Sequence, residues 1–240
     1  ATTFLFLSAQ EETTIYKHNI FLTGASFATS NNSWFEMGCE RLNANPINKA
    51  VGGHAIANTA NLMVEGKLYS MEELEKTDAF VIMHVHNMDV YDTAQIRKTI
   101  EEYKLPFDRS NYAAAYDYAI KKYITDCYNL KFNPQSKYYE SKTGKPPVII
   151  LCTHWNDSRT IYNESVRKLA QKWGFPLVEF DKYIGFSNNQ DHPVTGEAFS
   201  LLYANDTQTV DGKKHGFHPV NGKDKHIQQR MAAIFRSLMR

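Results

Sequence analysis

Asn19-Ile20-Phe21-Leu22-Thr23-Gly24-Ala25-Ser26 is a short apolar run that breaks at a glycine and ends on a serine. It reads as a buried strand entering a tight turn, with a helical segment after it. Four further runs have the same character: Pro46–Val51, Ala79–Val85, Val148–Thr153 and Leu177–Phe180. Each is apolar or β-branched and bounded by polar residues, Gly or Pro. Amphipathic stretches lie between them. Ser33–Leu42 opens with a cap residue and has Glu36 three positions on, a capping-box pattern. Asn111–Leu130 places Tyr112, Tyr116, Ala119, Tyr123, Ile124 and Cys127 at helical spacing. Ser158–Trp173 ends at Gly174, and Asp224–Met239 aligns Ile227, Met231, Ile234, Phe235 and Leu238 on one stripe. Strands alternating with helices predict an α/β fold, with a five-stranded, mostly parallel sheet between two helical layers.

The chain has 240 residues, enough for one large α/β domain, and residues 1–240 are read as such. Its 27 Lys+Arg balance 26 Asp+Glu, for a net charge of +1, which argues against a nucleic-acid-coating protein. Hydrophobic content of 42% with 22% charged residues fits a folded chain. No apolar run approaches the roughly 18–20 residues of a membrane span. Cys39, Cys127 and Cys152 are too few and too scattered for a disulfide framework or a zinc knuckle. The first residue is Ala1, and Phe4–Leu7 is too short for a signal-peptide core. A leader already removed fits both facts, so an extracytoplasmic location is the expectation. Two regions break the strand–helix rhythm. Phe132–Pro147 reads as a surface connection. Residues 185–219 are rich in Asn, Asp, Gly and Pro, and a loop of that length is usually functional or disordered.

Four local patterns carry chemistry. In an open α/β sheet, ligands bind beyond the carboxyl ends of the strands, where Ser26 stands. A serine there serves as a nucleophile if a base reaches it, or simply caps a turn. Asn48–His54 contains Gly52-Gly53, whose backbone N–H groups can approach a developing oxyanion or merely turn the chain. His84-Val85-His86-Asn87-Met88-Asp89 puts an asparagine amide at a strand end. Asp211-Gly-Lys-Lys-His215-Gly-Phe-His218-Pro219 places a histidine ahead of the last helix, where it can act as a general base.

In order and spacing these patterns resemble the motif blocks of the SGNH (GDSL-type) hydrolase superfamily. Gly24-Ala25-Ser26 looks like the first block, Asn48–Gly53 the second, Val85-His86-Asn87 the third and His215–Pro219 the last. The resemblance spans Asn19–Met239. It implies a flavodoxin-like three-layer fold and a serine esterase that uses no metal or organic cofactor. Ser26 would be the nucleophile and His218 the base. The Ser26 and Gly53 N–H groups and the Asn87 amide would form the oxyanion hole. The chain departs from the pattern where Ala25 replaces the usual Asp, where Val85 replaces the Gly and Met88 follows the Asn, and where His215 occupies the triad Asp position. The group that orients His218 is therefore open between His215, Asp211 and a backbone carbonyl. A small-molecule or oligosaccharide ester is the expected substrate, with a short acyl group such as acetyl on a carbohydrate. Trp34 and Trp155 are candidates to stack on the sugar. Two other readings are a carbohydrate-binding protein on a degenerate site, and a metal-dependent hydrolase using His84, His86, Asp89 and His54 or His154.

Overall fold

The structure, a computed structural model, describes residues 16–30, 33–86 and 89–239. Asn87 and Phe4–Leu7 lie outside the described residues.

Five parallel strands form the central sheet. They are β1 (His18–Gly24), β2 (Ala44–Asn48), β3 (Ala79–Met83), β4 (Ile149–Cys152) and β5 (Leu177–Val178), in the order β2-β1-β3-β4-β5. The period-2 alternation of each strand divides its side chains between two cores. Phe21, Phe80, Ile82, Ile149 and Leu151 face one layer, made by α2 (Ile56–Val64), α3 (Met71–Lys76), α4 (Tyr112–Asn129) and α5 (Thr160–Trp173). Ile20, Leu22, Val81, Met83, Ile150 and Cys152 face the other, made chiefly by α1 (Trp34–Arg41) and α7 (His226–Leu238). This is the expected α/β/α sandwich, and each expected strand lies within about two residues of an observed one at its start.

The additions are small elements. Helices α2 and α3 fall between the second and third strands, and α6 (Phe180–Tyr183) follows β5. Helix α5 ends where expected, at Gly174 with φ of 70°. The capping box expected at Ser33 does not form. The Ser33 hydroxyl donates instead to Glu36 Oε2 at 2.6 Å, and the Trp34 N–H is taken by Gln228 Oε1 of α7 at 2.9 Å. Glu36 is drawn away because its other oxygen accepts from Asn48 Nδ2 at 2.7 Å.

Residues 185–219 are more ordered than a plain loop. They carry a short 3-10 turn (Phe199–Tyr203) and an antiparallel hairpin of β6 (Thr207–Val210) and β7 (Lys213–Gly216). The turn residues are Asp211 and Gly212, with φ of 50° and 78°. Positive φ at both positions is what a two-residue hairpin turn of the favoured hand requires, and Asp-Gly supplies it. Among the described residues, no helix is long and apolar enough to cross a membrane.

Candidate active site

Strand order places the crevice between β1 and β3, where connections leave in opposite directions, and Ser26 sits at its mouth. Gly24 makes the close approach possible, because a Cβ there would lie 2.6 Å from the Met83 carbonyl oxygen. Ala25 N–H donates to that same carbonyl at 3.2 Å. The Ser26–Ala28 turn is then fixed through its carbonyls. Ser26 O accepts from Thr29 Oγ1 at 3.1 Å, Phe27 O from Trp34 Nε1 at 3.0 Å, and Ala28 O from Asn48 Nδ2 at 2.8 Å. Ser26 itself stays half-buried.

His218 arrives from the hairpin side. Its Nε2 lies 2.8 Å from Ser26 Oγ, and its Nδ1 lies 2.8 Å from Asp206 Oδ2. With Nδ1–H donating to the carboxylate, Nε2 is left to accept from the serine hydroxyl. Asp206 Oδ1 also accepts from the His218 backbone N–H at 2.7 Å. Burial works to raise the Asp206 pKa, but the hydrogen bonds from the His218 N–H and ring, with the ring's charge, outweigh it. The carboxyl is held below its ordinary value. The Phe27 ring stacks on the imidazole at a centroid distance of 5.1 Å. Trp155 Nε1 donates to Phe217 O at 2.9 Å and so pins the residue before the histidine.

The orienting group is thus Asp206, and neither residue expected from the sequence. Asp211 is at the hairpin tip, where its positive φ serves the turn. His215 is buried on β7 opposite Gln208. An extended chain rises about 3.3 Å per residue, so three residues carry His215 roughly 10 Å from His218 instead of beside it. The hairpin also explains how Asp206 gets there. Its ladder continues past Gly216, with Phe217 N–H donating to Asp206 O and Asn205 N–H to His218 O, both at 2.9 Å. Counting outward from the Asp211-Gly212 turn pairs Asp206 with Phe217 and Asn205 with His218, so the sequence could have shown that Asp206 lies one position from the histidine's partner but not that it orients the ring.

Of the other expected residues, Gly53 lies in an exposed turn at φ of 80°, and its carbonyl accepts from Arg109 Nη1 at 2.7 Å. It lines a pocket that reaches Ser26. Trp34 and Trp155 are both fully buried, so neither offers a face to a sugar. Each is a core side chain whose indole N–H ties down site backbone, at Phe27 and Phe217. The residues of the metal reading do not assemble a metal-binding group: His54 and His86 line the pocket beside Ser26, with His86 Nδ1 3.6 Å from Asp89 Oδ1. His84 is buried and hydrogen-bonded to Thr59 at 2.7 Å, with burial the main cause of a pKa lowered to about 3, whereas His154 contacts Asn156 O at 3.1 Å. Among the described residues no group of three or more His, Cys, Asp or Glu side chains could hold a metal ion.

Two pockets meet at Ser26. One, of about 270 Å³, is lined by Thr29, Ser33, Asp206, His218 and Asn221. The other, of about 360 Å³, is lined by Gly53, His54, His86, Arg109, Arg159 and Phe217, among others.

No curated protein matches the sequence. Solved structures share the fold at low identity. A lipase from a goat rumen metagenome is 14% identical with a TM-score of 0.51, over 92% of this chain and 97% of its own. A protein assigned to the G-D-S-L lipolytic family, from Desulfitobacterium hafniense DCB-2, is 12% identical with a TM-score of 0.50, over 92% and 99%. A lipase candidate from Chitinophaga pinensis DSM 2588 is 13% identical with a TM-score of 0.51, over 92% and 98%. The fold is therefore the one the sequence motifs pointed to, that of SGNH (GDSL-type) hydrolases. A family model described as "Domain of unknown function (DUF5040)" matches residues 16–240, so the chain belongs to that family.

Proposed function

We propose that this protein is a serine hydrolase of carboxylic esters. The observation that carries the reading is the continuous chain Ser26 Oγ, His218 Nε2, His218 Nδ1, Asp206 Oδ2, with both contacts at 2.8 Å. Ser26 Oγ attacks the ester carbonyl while His218 takes its proton. The Asp206 carboxylate holds the tautomer and stabilises the imidazolium that forms. On the family pattern the oxyanion is held by the N–H groups of Ser26 and Gly53 and by the Asn87 amide, and Gly53 lines the pocket that reaches Ser26. His218 then protonates the leaving alcohol, and water releases the acyl group from Ser26 by the same route in reverse.

The pockets beside Ser26 favour a short acyl group. They are modest in volume and lined largely by polar side chains, which suits a compact polar ester better than a long hydrocarbon chain. The carbohydrate preference loses its stacking support, since both tryptophans are core residues.

Hydrolysis of 4-nitrophenyl acetate by wild type, Ser26→Ala and His218→Ala tests the assignment. Each variant is expected to lose at least about 10³-fold in kcat. Full activity in purified Ser26→Ala would refute it.

A further inference from the structure

The pocket on the Gly53 side of Ser26 is strongly one-sided in charge. Arg109 and Arg159 are the charged side chains that line it, no Asp or Glu is among its described lining residues, and the Asp89 carboxylate at its rim stands 3.6 Å from the lining residue His86. Arg159 is only 5% exposed, and burying a guanidinium is costly unless it is matched. Its matching is incomplete. Nη2 donates to Gln208 Oε1 at 2.6 Å, while Nε has no partner among the described residues. The group is otherwise held between aromatic faces, 5.6 Å from the Phe27 ring centroid and 5.1 Å from that of Phe217. Both rings adjoin the reacting residues, Ser26 and His218. Asp89 is the carboxylate that acts on Arg159. Burial pushes it up to about 7, so it offsets the two guanidiniums only in part at neutral pH.

The geometry also says which half of an ester enters this pocket. The leaving oxygen must take its proton from His218, so the alcohol lies on the His218 side. His218 lines the smaller pocket with Asp206 and Asn221, and is not among the lining residues of the arginine pocket. The acyl chain, whose carbonyl oxygen turns towards the Gly53 N–H, therefore extends towards Arg159 and Arg109.

We propose that the ester's acyl half carries a carboxylate, which binds between Arg159 and Arg109. The substrate is then a half-ester of a short dicarboxylic acid. This rests on the serine-hydrolase reading for its orientation. Water adds across the ester C–O bond, releasing the alcohol and a dicarboxylate. Two N–H donors on a charged group form hydrogen bonds about twice as strong as neutral ones, and the fork of a guanidinium matches a carboxylate.

The experiment compares hydrolysis of monoethyl succinate, ethyl butyrate and the butyryl ester of glycolic acid, which bears its charge on the alcohol. Wild type is expected to favour monoethyl succinate over each of the others by at least about tenfold in kcat/KM. Arg159→Gln should bring that ratio close to one. Arg109→Gln, at an exposed position, should lower it in the same direction and carries the test if the Arg159 variant does not fold. Calorimetry of succinate and butyrate with the wild type reads the pocket without turnover. Succinate is expected to bind more tightly, and both variants to lose the difference. Ethyl butyrate preferred, with no difference between the two acids, would overturn the proposal while leaving the hydrolase reading intact. Preference for the glycolate ester would overturn the acyl-side assignment. Selective succinate binding with no ester hydrolysed would uphold the anion pocket and refute the hydrolase reading.

Discussion

Asp206 has two jobs, one oxygen on the His218 backbone N–H and the other on the ring. Asp206→Asn keeps the shape but offers the ring the wrong tautomer. That variant is expected to lose on the order of 10³–10⁴ in kcat. Asp211→Asn, at the hairpin tip, should stay within about twofold of wild type. Steady-state kinetics of the two variants side by side separates them. The same carboxylate carries a pH signature. Its pKa in the folded protein lies below the ordinary value, so it stabilises the fold fully above the ordinary carboxylate range. That contribution fades as pH falls through the lowered value. The Tm difference between wild type and Asp206→Asn should accordingly be present at pH 7 and shrink towards zero in acid. At this scale the meeting of Ser26 and His218 was legible, from a serine at a strand end and a histidine ahead of the last helix. It was misleading for the third member, because a spacing of three residues puts side chains together in a turn or helix and apart in a strand.

The β6–β7 hairpin is the element that brings Asp206 and His218 together. Its register is set by two residues at positive φ, Asp211 and Gly212. Gly212→Val puts a β-branched side chain at φ of 78°, where such residues are strained. The expected result is a kcat loss of at least about tenfold with only a small change in Tm, since the hairpin lies outside the central sheet. Unchanged kcat would show that the site does not depend on this turn. The hairpin was legible in principle, because Asp-Gly between Thr207–Val210 and Lys213–Gly216 is a strong hairpin signal. The density of Asn, Gly and Pro around it hid two four-residue strands within a stretch that reads as loop. Trp34 and Trp155 show the complementary difficulty. Their nearness to site motifs was visible, but burial is decided by packing across the whole domain, and that put both indoles inside with their N–H groups on backbone carbonyls.

Across the whole molecule, the last helix, α7, packs on α1 in one outer layer, and Gln228 of α7 takes the Trp34 N–H. Phe235 is fully buried, with ring centroids 5.3 Å from Trp34 and 5.9 Å from Phe35. Phe235→Ala should cost about 3–5 kcal/mol of stability, read from the denaturant midpoint. At roughly 2–4 °C per kcal/mol, Tm should fall by about 10 °C. The five-strand alternation and its helical layers were the most legible part of the chain, because each buried parallel strand is a compact apolar run. Helix α2 was less so. Its Ile56, Ala57, Ala60 and Met63 bury against the sheet, but they follow a turn rich in Gly, and the N-cap is Ala55, which has no capping side chain and whose N–H donates to Asn58 Oδ1 at 2.8 Å.

Covalent trapping of the nucleophile reads whether His218 and Asp206 activate Ser26. The protein would be treated with diethyl 4-nitrophenyl phosphate, and the adduct located by mass spectrometry of its peptides. A single diethylphosphoryl group on Ser26 is predicted, formed much more slowly in His218→Ala and Asp206→Asn. An unmodified Ser26, or modification at the same rate in wild type and His218→Ala, would refute the Ser26–His218–Asp206 assignment.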